Sequence, residues 1–98
     1  MGKTYGFAVV GAGMIGKFHA EAIKGLPNAK LVAICDQVQS AADNLAGNFG
    51  CTAESSLDRL LARDDVDVVT VATPSGLHGE VAISAARHGK HCGGEKPL

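Results

Sequence analysis

Apolar residues arrive along this chain in two rhythms. Unbroken runs, GFAVV at residues 6–10, KLVAIC at 30–35 and VDVVTVA at 66–72, read as strands buried on both faces. Between them the apolar spacing opens to three or four. Ile15, Phe18, Ala22 and Leu26 predict the buried face of a helix that starts at Met14 and is ended by Pro27 and Asn28. Val38, Ala42, Leu45 and Phe49 predict a second helix, with Gly50 as its C-cap. Ser55, three residues before Asp58, resembles a capping box with the shorter acid, and Leu57, Leu60 and Leu61 supply the apolar face of the helix behind it. Leu77, Val81 and Ala85 mark a fourth helix, stopped by Gly89. A short strand at Cys51–Ala53 and a last one at about Lys90–Gly94 complete the pattern.

The predicted order is βαβαβαβαβ. Strands that alternate with helices and are apolar throughout imply an α/β fold, a doubly wound parallel sheet of about five strands covered on both faces. Length fits this picture, since 98 residues suit one domain spanning 1–98. Composition narrows the partners. A net charge of −1, with nine scattered Lys and Arg, offers no nucleic-acid surface. No apolar run approaches the ~20 residues of a membrane span, and the N-terminus lacks the features of a signal peptide. A cytoplasmic protein is expected. The thiols Cys35, Cys51 and Cys92 form no C-x-x-C pair and read as reduced, packed side chains. His91 and Cys92 are strand neighbours whose side chains diverge, so no metal site is expected.

Candidate chemistry lies where the first strand meets the first helix. Gly11, Gly13 and Gly16 stand at G-x-G-x-x-G spacing there. In such a turn the first glycine permits the bend, the second lets a pyrophosphate approach the main chain, and the third lets helix and sheet pack closely. The helix opening at Met14 and Ile15 directs free N–H groups at the phosphates. Asp36 ends the second strand 20 residues after Gly16, where a carboxylate can accept both hydroxyls of the adenosine ribose. It would repel a 2′-phosphate, and Gln37 and Val38 offer no arginine to hold one, which favours NAD over NADP. Asp36 as a plain turn residue or helix cap is the competing role.

The ordered set GAGMIGKFHAEAI, LVAICD, Ala72-Thr73-Pro74 with His78, the run Ala86 to His91, and Glu95-Lys96-Pro97 resembles the Gfo/Idh/MocA oxidoreductases over essentially the whole chain. The resemblance implies a Rossmann-like cofactor domain. It implies that Thr73, Pro74 and His78 lie near the ribose or nicotinamide, with local hydrogen bonding the alternative for His78 and packing the expected role of His19. It makes Lys96 the catalytic residue and a cofactor contact, reaching the substrate hydroxyl and the nicotinamide ribose, a cation that stabilises an alkoxide as hydride leaves its carbon and that can pass a proton. Glu95 then binds ribose or orients the lysine.

The implied activity is that of an NAD(P)-dependent dehydrogenase transferring hydride between a nicotinamide cofactor and a secondary alcohol or carbonyl, of a sugar or cyclitol. A non-catalytic NAD-binding sensor or assembly module is the alternative. Members of the family continue beyond the point that corresponds to Leu98 into a substrate domain, so these residues by themselves should bind NAD weakly and turn over nothing. His91-Cys92-Gly93-Gly94 departs from the family pattern, and paired glycines weaken a strand. A last strand left as a bare edge would favour a homo-oligomer.

Overall fold

Each unbroken apolar run forms a strand and each spaced run a helix. The computed structural model describes residues 4–72 and 78–94. In chain order the elements are β1 (Tyr5–Val10), α1 (Met14–Lys24), β2 (Ala29–Cys35), α2 (Gln39–Phe49), β3 (Thr52–Glu54), α3 (Leu57–Leu61), β4 (Val68–Val71), α4 (His78–Arg87) and β5 (His91–Gly94). The strands make one parallel sheet in the order β3-β2-β1-β4-β5. The chain is therefore a doubly wound α/β domain, as its pattern implied.

Two cores flank the sheet. On one face Ala8, Val10, Ala33, Cys35, Val69 and Val71 meet Leu60 and Leu61 of α3 and Val81 and Ala85 of α4. On the other, Val9 and Ile34 meet Ala20 and Ile23 of α1 and Leu45 and Ala46 of α2. Alternate residues of β1 and β2 thus point to opposite cores, the signature of strands covered on both sides. Gly6 serves the sheet entrance: a Cβ there would stand 1.7 Å from the Asp65 carbonyl oxygen. Its N–H donates to the Asp67 carboxylate at 2.8 Å, tying β1 to the approach to β4.

Four details differ from the sequence pattern. The buried face of α1 is Gly16, Ala20 and Ile23, whereas Ile15 (48% exposed) and Phe18 (58%) lie outside it. Close packing of the helix on the sheet selects the small residues and leaves the larger ones on the flanks. The third strand starts at Thr52, because the Cys51 N–H closes the end of α2 on the Ala46 carbonyl at 3.0 Å, beyond Gly50 in the left-handed region (φ 68°). Ser56, not Ser55, caps α3, its hydroxyl accepting the Arg59 N–H at 3.3 Å. The fourth strand is confined to Val68–Val71, with Val66 fully buried ahead of it. Gly93 and Gly94 keep strand form, in register with Thr70 and Val71. Leu77 lies outside the described residues.

Candidate functional site

The carboxyl ends of β1, β2 and β4 meet where the strand order reverses direction, between β1 and β4. Open α/β sheets form a crevice at such a point, because the loops on either side depart to opposite faces. The glycine bend lies on its lip. Gly11 leaves β1 with φ 111°, a conformation that side chains resist, and its N–H donates to the Cys35 carbonyl at 2.7 Å. Gly16 sits one helical turn further on. A Cβ there would fall 1.9 Å from the Gly11 carbonyl oxygen, so only glycine lets α1 start this close to β1.

Gly13 has the opposite character. It is exposed, and nothing lies within 4 Å of where its Cβ would be. As the N-cap of α1 it makes no side-chain bond to the first turn, which also carries no acidic residue. The opening amides of the helix, at Met14 and Ile15, thus face an unfilled approach with no anion of their own.

Asp36 joins this bend to β2. Its Oδ2 accepts the Ala12 N–H at 2.8 Å, and its Oδ1 accepts the Val38 N–H at 2.9 Å. The carboxylate is half-buried, so a partner arriving from the crevice can still reach its remaining lone pairs. The G-x-G-x-x-G spacing and the strand-ending acid pointed to both parts. The clasp between Asp36 and Ala12 had no signal in the sequence, since it spans 24 residues.

A cleft of about 600 Å³ continues from the bend along the groove between α1 and α2. Gly13, Met14, Lys17, Phe18, Asn44 and Asn48 line it. None of Lys17, Asn44 and Asn48 was singled out by the pattern, because solvated polar residues on a helix carry no periodic mark. Beneath the site, burial first and then the Asp36 and Glu54 carboxylates push the Cys35 thiol up to about 11. It stays protonated and serves packing. Burial also raises the Cys51 and Cys92 thiols.

Gly11, Gly13, Met14, Ile15, Gly16 and Asp36 are therefore brought together at one end of the sheet. His78 opens α4, a helix that follows β4. Thr73, Pro74, Glu95 and Lys96 lie outside the described residues, as does the Lys96–Pro97 bond. Among the described residues no group of acidic, cysteine and histidine side chains could hold a metal, and no helix is long and apolar enough to cross a membrane.

Comparison with known proteins places this geometry. Residues 5–98 match the Gfo/Idh/MocA family, described as an oxidoreductase family with an NAD-binding Rossmann fold. An inositol 2-dehydrogenase of Rhizobium meliloti is 40% identical over 97% of this chain and 28% of its own length. A 2,7-anhydro-N-acetylneuraminate hydratase of Mediterraneibacter gnavus is 40% identical over 98% of this chain and 25% of its own. The crystal structure of scyllo-inositol dehydrogenase from Lactobacillus casei, with bound NAD(H) and scyllo-inositol, superposes with a TM-score of 0.87 at 34% identity, covering 97% of this chain and 28% of that one. The chain belongs to the Gfo/Idh/MocA oxidoreductase family and spans about a quarter of the length of these relatives.

Proposed function

We propose that this chain binds NAD, with the pyrophosphate over Gly13 and the adenosine ribose on Asp36, as the cofactor domain of a dehydrogenase acting on a secondary alcohol of a sugar or cyclitol. The observation that carries the reading is the paired arrangement of open Gly13 and the Asp36 carboxylate at one crevice. The residues present fit the group: a glycine with free space, an uncapped helix start and an acid with spare lone pairs. Bound NAD supplies the hydride acceptor. Asp36 holds the ribose diol and repels a 2′-phosphate, which selects NAD over NADP. By resemblance, Thr73, Pro74 and His78 border the cofactor, and Glu95 orients Lys96 or holds ribose. Lys96 then stabilises the oxyanion as the substrate hydroxyl gives up its proton.

The domain runs over 1–98, and a substrate domain completes the pocket in the whole protein. A second reading has its own support. One relative of equal identity is named a hydratase, so addition or removal of water on a sugar is the second reading. A cytoplasmic location is part of the proposal, because three free thiols with raised pKa suit a reducing compartment. Pairing of copies through the edge strand β5 is also part of it.

Calorimetric titration with NAD and NADP tests the binding. NAD should bind more tightly than NADP, and Asp36→Ala should weaken NAD at least ~10-fold, the loss of about 1.4 kcal/mol of charge-assisted hydrogen bonding. Equal affinity of both cofactors, or an Asp36→Ala variant that binds NAD unchanged, refutes it. In the complete protein, accumulation of reduced cofactor with polyols separates dehydrogenase from hydratase.

A further inference from the structure

We infer that Asp36 has a second duty, as the positioning residue of the glycine bend: its carboxylate holds the phosphate-binding main chain in place through Ala12, whether or not a ribose is bound. The inference rests on the NAD reading and adds to it a physical link between the ribose and phosphate ends of the site.

The bend needs a hold from outside itself. Ala12 stands between Gly11 and Gly13, and glycine has the widest choice of backbone angles. Gly11 has φ 111°, and Gly13 is extended with φ −84° and ψ −161°. Left alone, such a segment samples many shapes, and a ligand must order it on binding. Two consecutive amides prevent that. The Gly11 N–H donates to the Cys35 carbonyl at 2.7 Å, and the Ala12 N–H donates to Asp36 Oδ2 at 2.8 Å. The first bond continues the main-chain pairing of β1 with β2. The second is made by a charged, half-buried side chain, which makes it the stronger kind.

The same carboxylate reaches the neighbouring loop. Its Oδ1 accepts the Val38 N–H at 2.9 Å, and the Val38 carbonyl accepts the Ala41 and Ala42 N–H groups at the start of α2. The Asp36 N–H is itself held by the Glu54 carbonyl of β3 at 3.1 Å. The acid is thus anchored in the sheet, and it ties the bend before α1 to the loop before α2. Ala12 and Ala41, one from each side, line the cleft between the two helices. Each carboxylate oxygen holds one N–H and keeps a lone pair for a ribose hydroxyl. Clasp and ribose contact are therefore compatible, and loss of the acid removes both.

Two readouts separate the duties. In the complete protein without ligand, NMR amide exchange at Ala12 should be at least ~10-fold faster in Asp36→Ala, with Gly11 unchanged as the internal reference. Asp36→Asn, whose amide oxygen can still accept the Ala12 N–H, should restore most of that protection. Calorimetry then compares NAD with an analogue whose adenosine ribose lacks both hydroxyls. Asp36→Ala should weaken the analogue ~3-fold or more, through the bend alone, and NAD by a larger factor. Asp36→Asn should hold the analogue nearly as the unaltered protein does. An analogue bound equally by Asp36→Ala and the unaltered protein overturns the inference. So does Ala12 exchange that stays unchanged, or that rises together with Gly11. Equal losses on NAD and on the analogue sink the ribose contact and leave the inference standing.

Discussion

At the scale of single residues, Gly13 and Gly16 have separable duties. Gly16 is structural: an added methyl would collide with the Gly11 carbonyl, backbone that cannot step aside. Gly16→Ala should cost ~1–3 kcal/mol in urea denaturation and lose NAD binding as a consequence. Gly13→Ala meets nothing in the folded chain, so its stability should stay within ~1 kcal/mol, the most an alanine N-cap costs relative to glycine. Calorimetry should nonetheless show NAD affinity falling ~10-fold or more, because the methyl occupies the phosphate approach. Cys35 gives a third expectation. Its folded pKa of about 11 exceeds the ordinary 9.0, so the native state keeps a proton that the unfolded chain releases. This contribution is whole below pH 9.0 and is lost as pH rises toward about 11. Denaturation at stepped alkaline pH should show a fall of at most about 2 kcal/mol over that window, absent in Cys35→Ala. Sequence spacing revealed the glycines and Asp36 because each is a local requirement of a turn or a strand end. It could not reveal the bond from Asp36 to Ala12, which exists only once β2 lies beside β1.

At the scale of elements, the apolar rhythm located every strand and helix to within a residue or two, and its errors share a cause. Periodicity counts large apolar side chains, whereas the face of α1 against the sheet is chosen by how closely the backbones approach. Gly16 and Ala20 meet that condition and Phe18 does not. Ser56 displaced Ser55 as cap for a similar reason: only the residue in extended geometry ahead of α3 can reach back to the Arg59 N–H. Helix ends offer a comparison of magnitudes. Gly50 holds φ 68° with open space around it, so Gly50→Ala should cost ~1 kcal/mol through backbone conformation alone. The 3.3 Å cap bond is long, so Ser56→Ala should cost ~0.5 kcal/mol, the low end of capping. Chemical denaturation that ranked Ser56→Ala above Gly50→Ala would reverse this account of the two caps.

At the scale of the molecule, the proposed function divides binding and chemistry between two regions of chain. The glycine bend, Asp36 and the α1–α2 cleft are complete within residues 4–72, and in the proposed reading they hold the adenosine and phosphate end of a dinucleotide. Lys96, the proposed catalytic group, follows β5, the edge strand next to β4. The carboxyl end of β5 opens on the β4 side of the crevice, away from β2 and Asp36. The proposed role of Lys96 therefore belongs to the nicotinamide end rather than the adenosine end. Lys96→Ala in the complete protein should therefore leave the NAD dissociation constant within about threefold while kcat falls ~10²–10⁴-fold, the span of a lost proton-transfer or oxyanion partner. Asp36→Ala should do the reverse, raising the KM for NAD with a smaller change in kcat. Steady-state kinetics on both variants, with calorimetry for NAD, decides between this division and a single shared site. If Lys96→Ala weakens NAD as much as Asp36→Ala does and kcat holds, the lysine is a cofactor ligand and the chemistry belongs elsewhere in the protein.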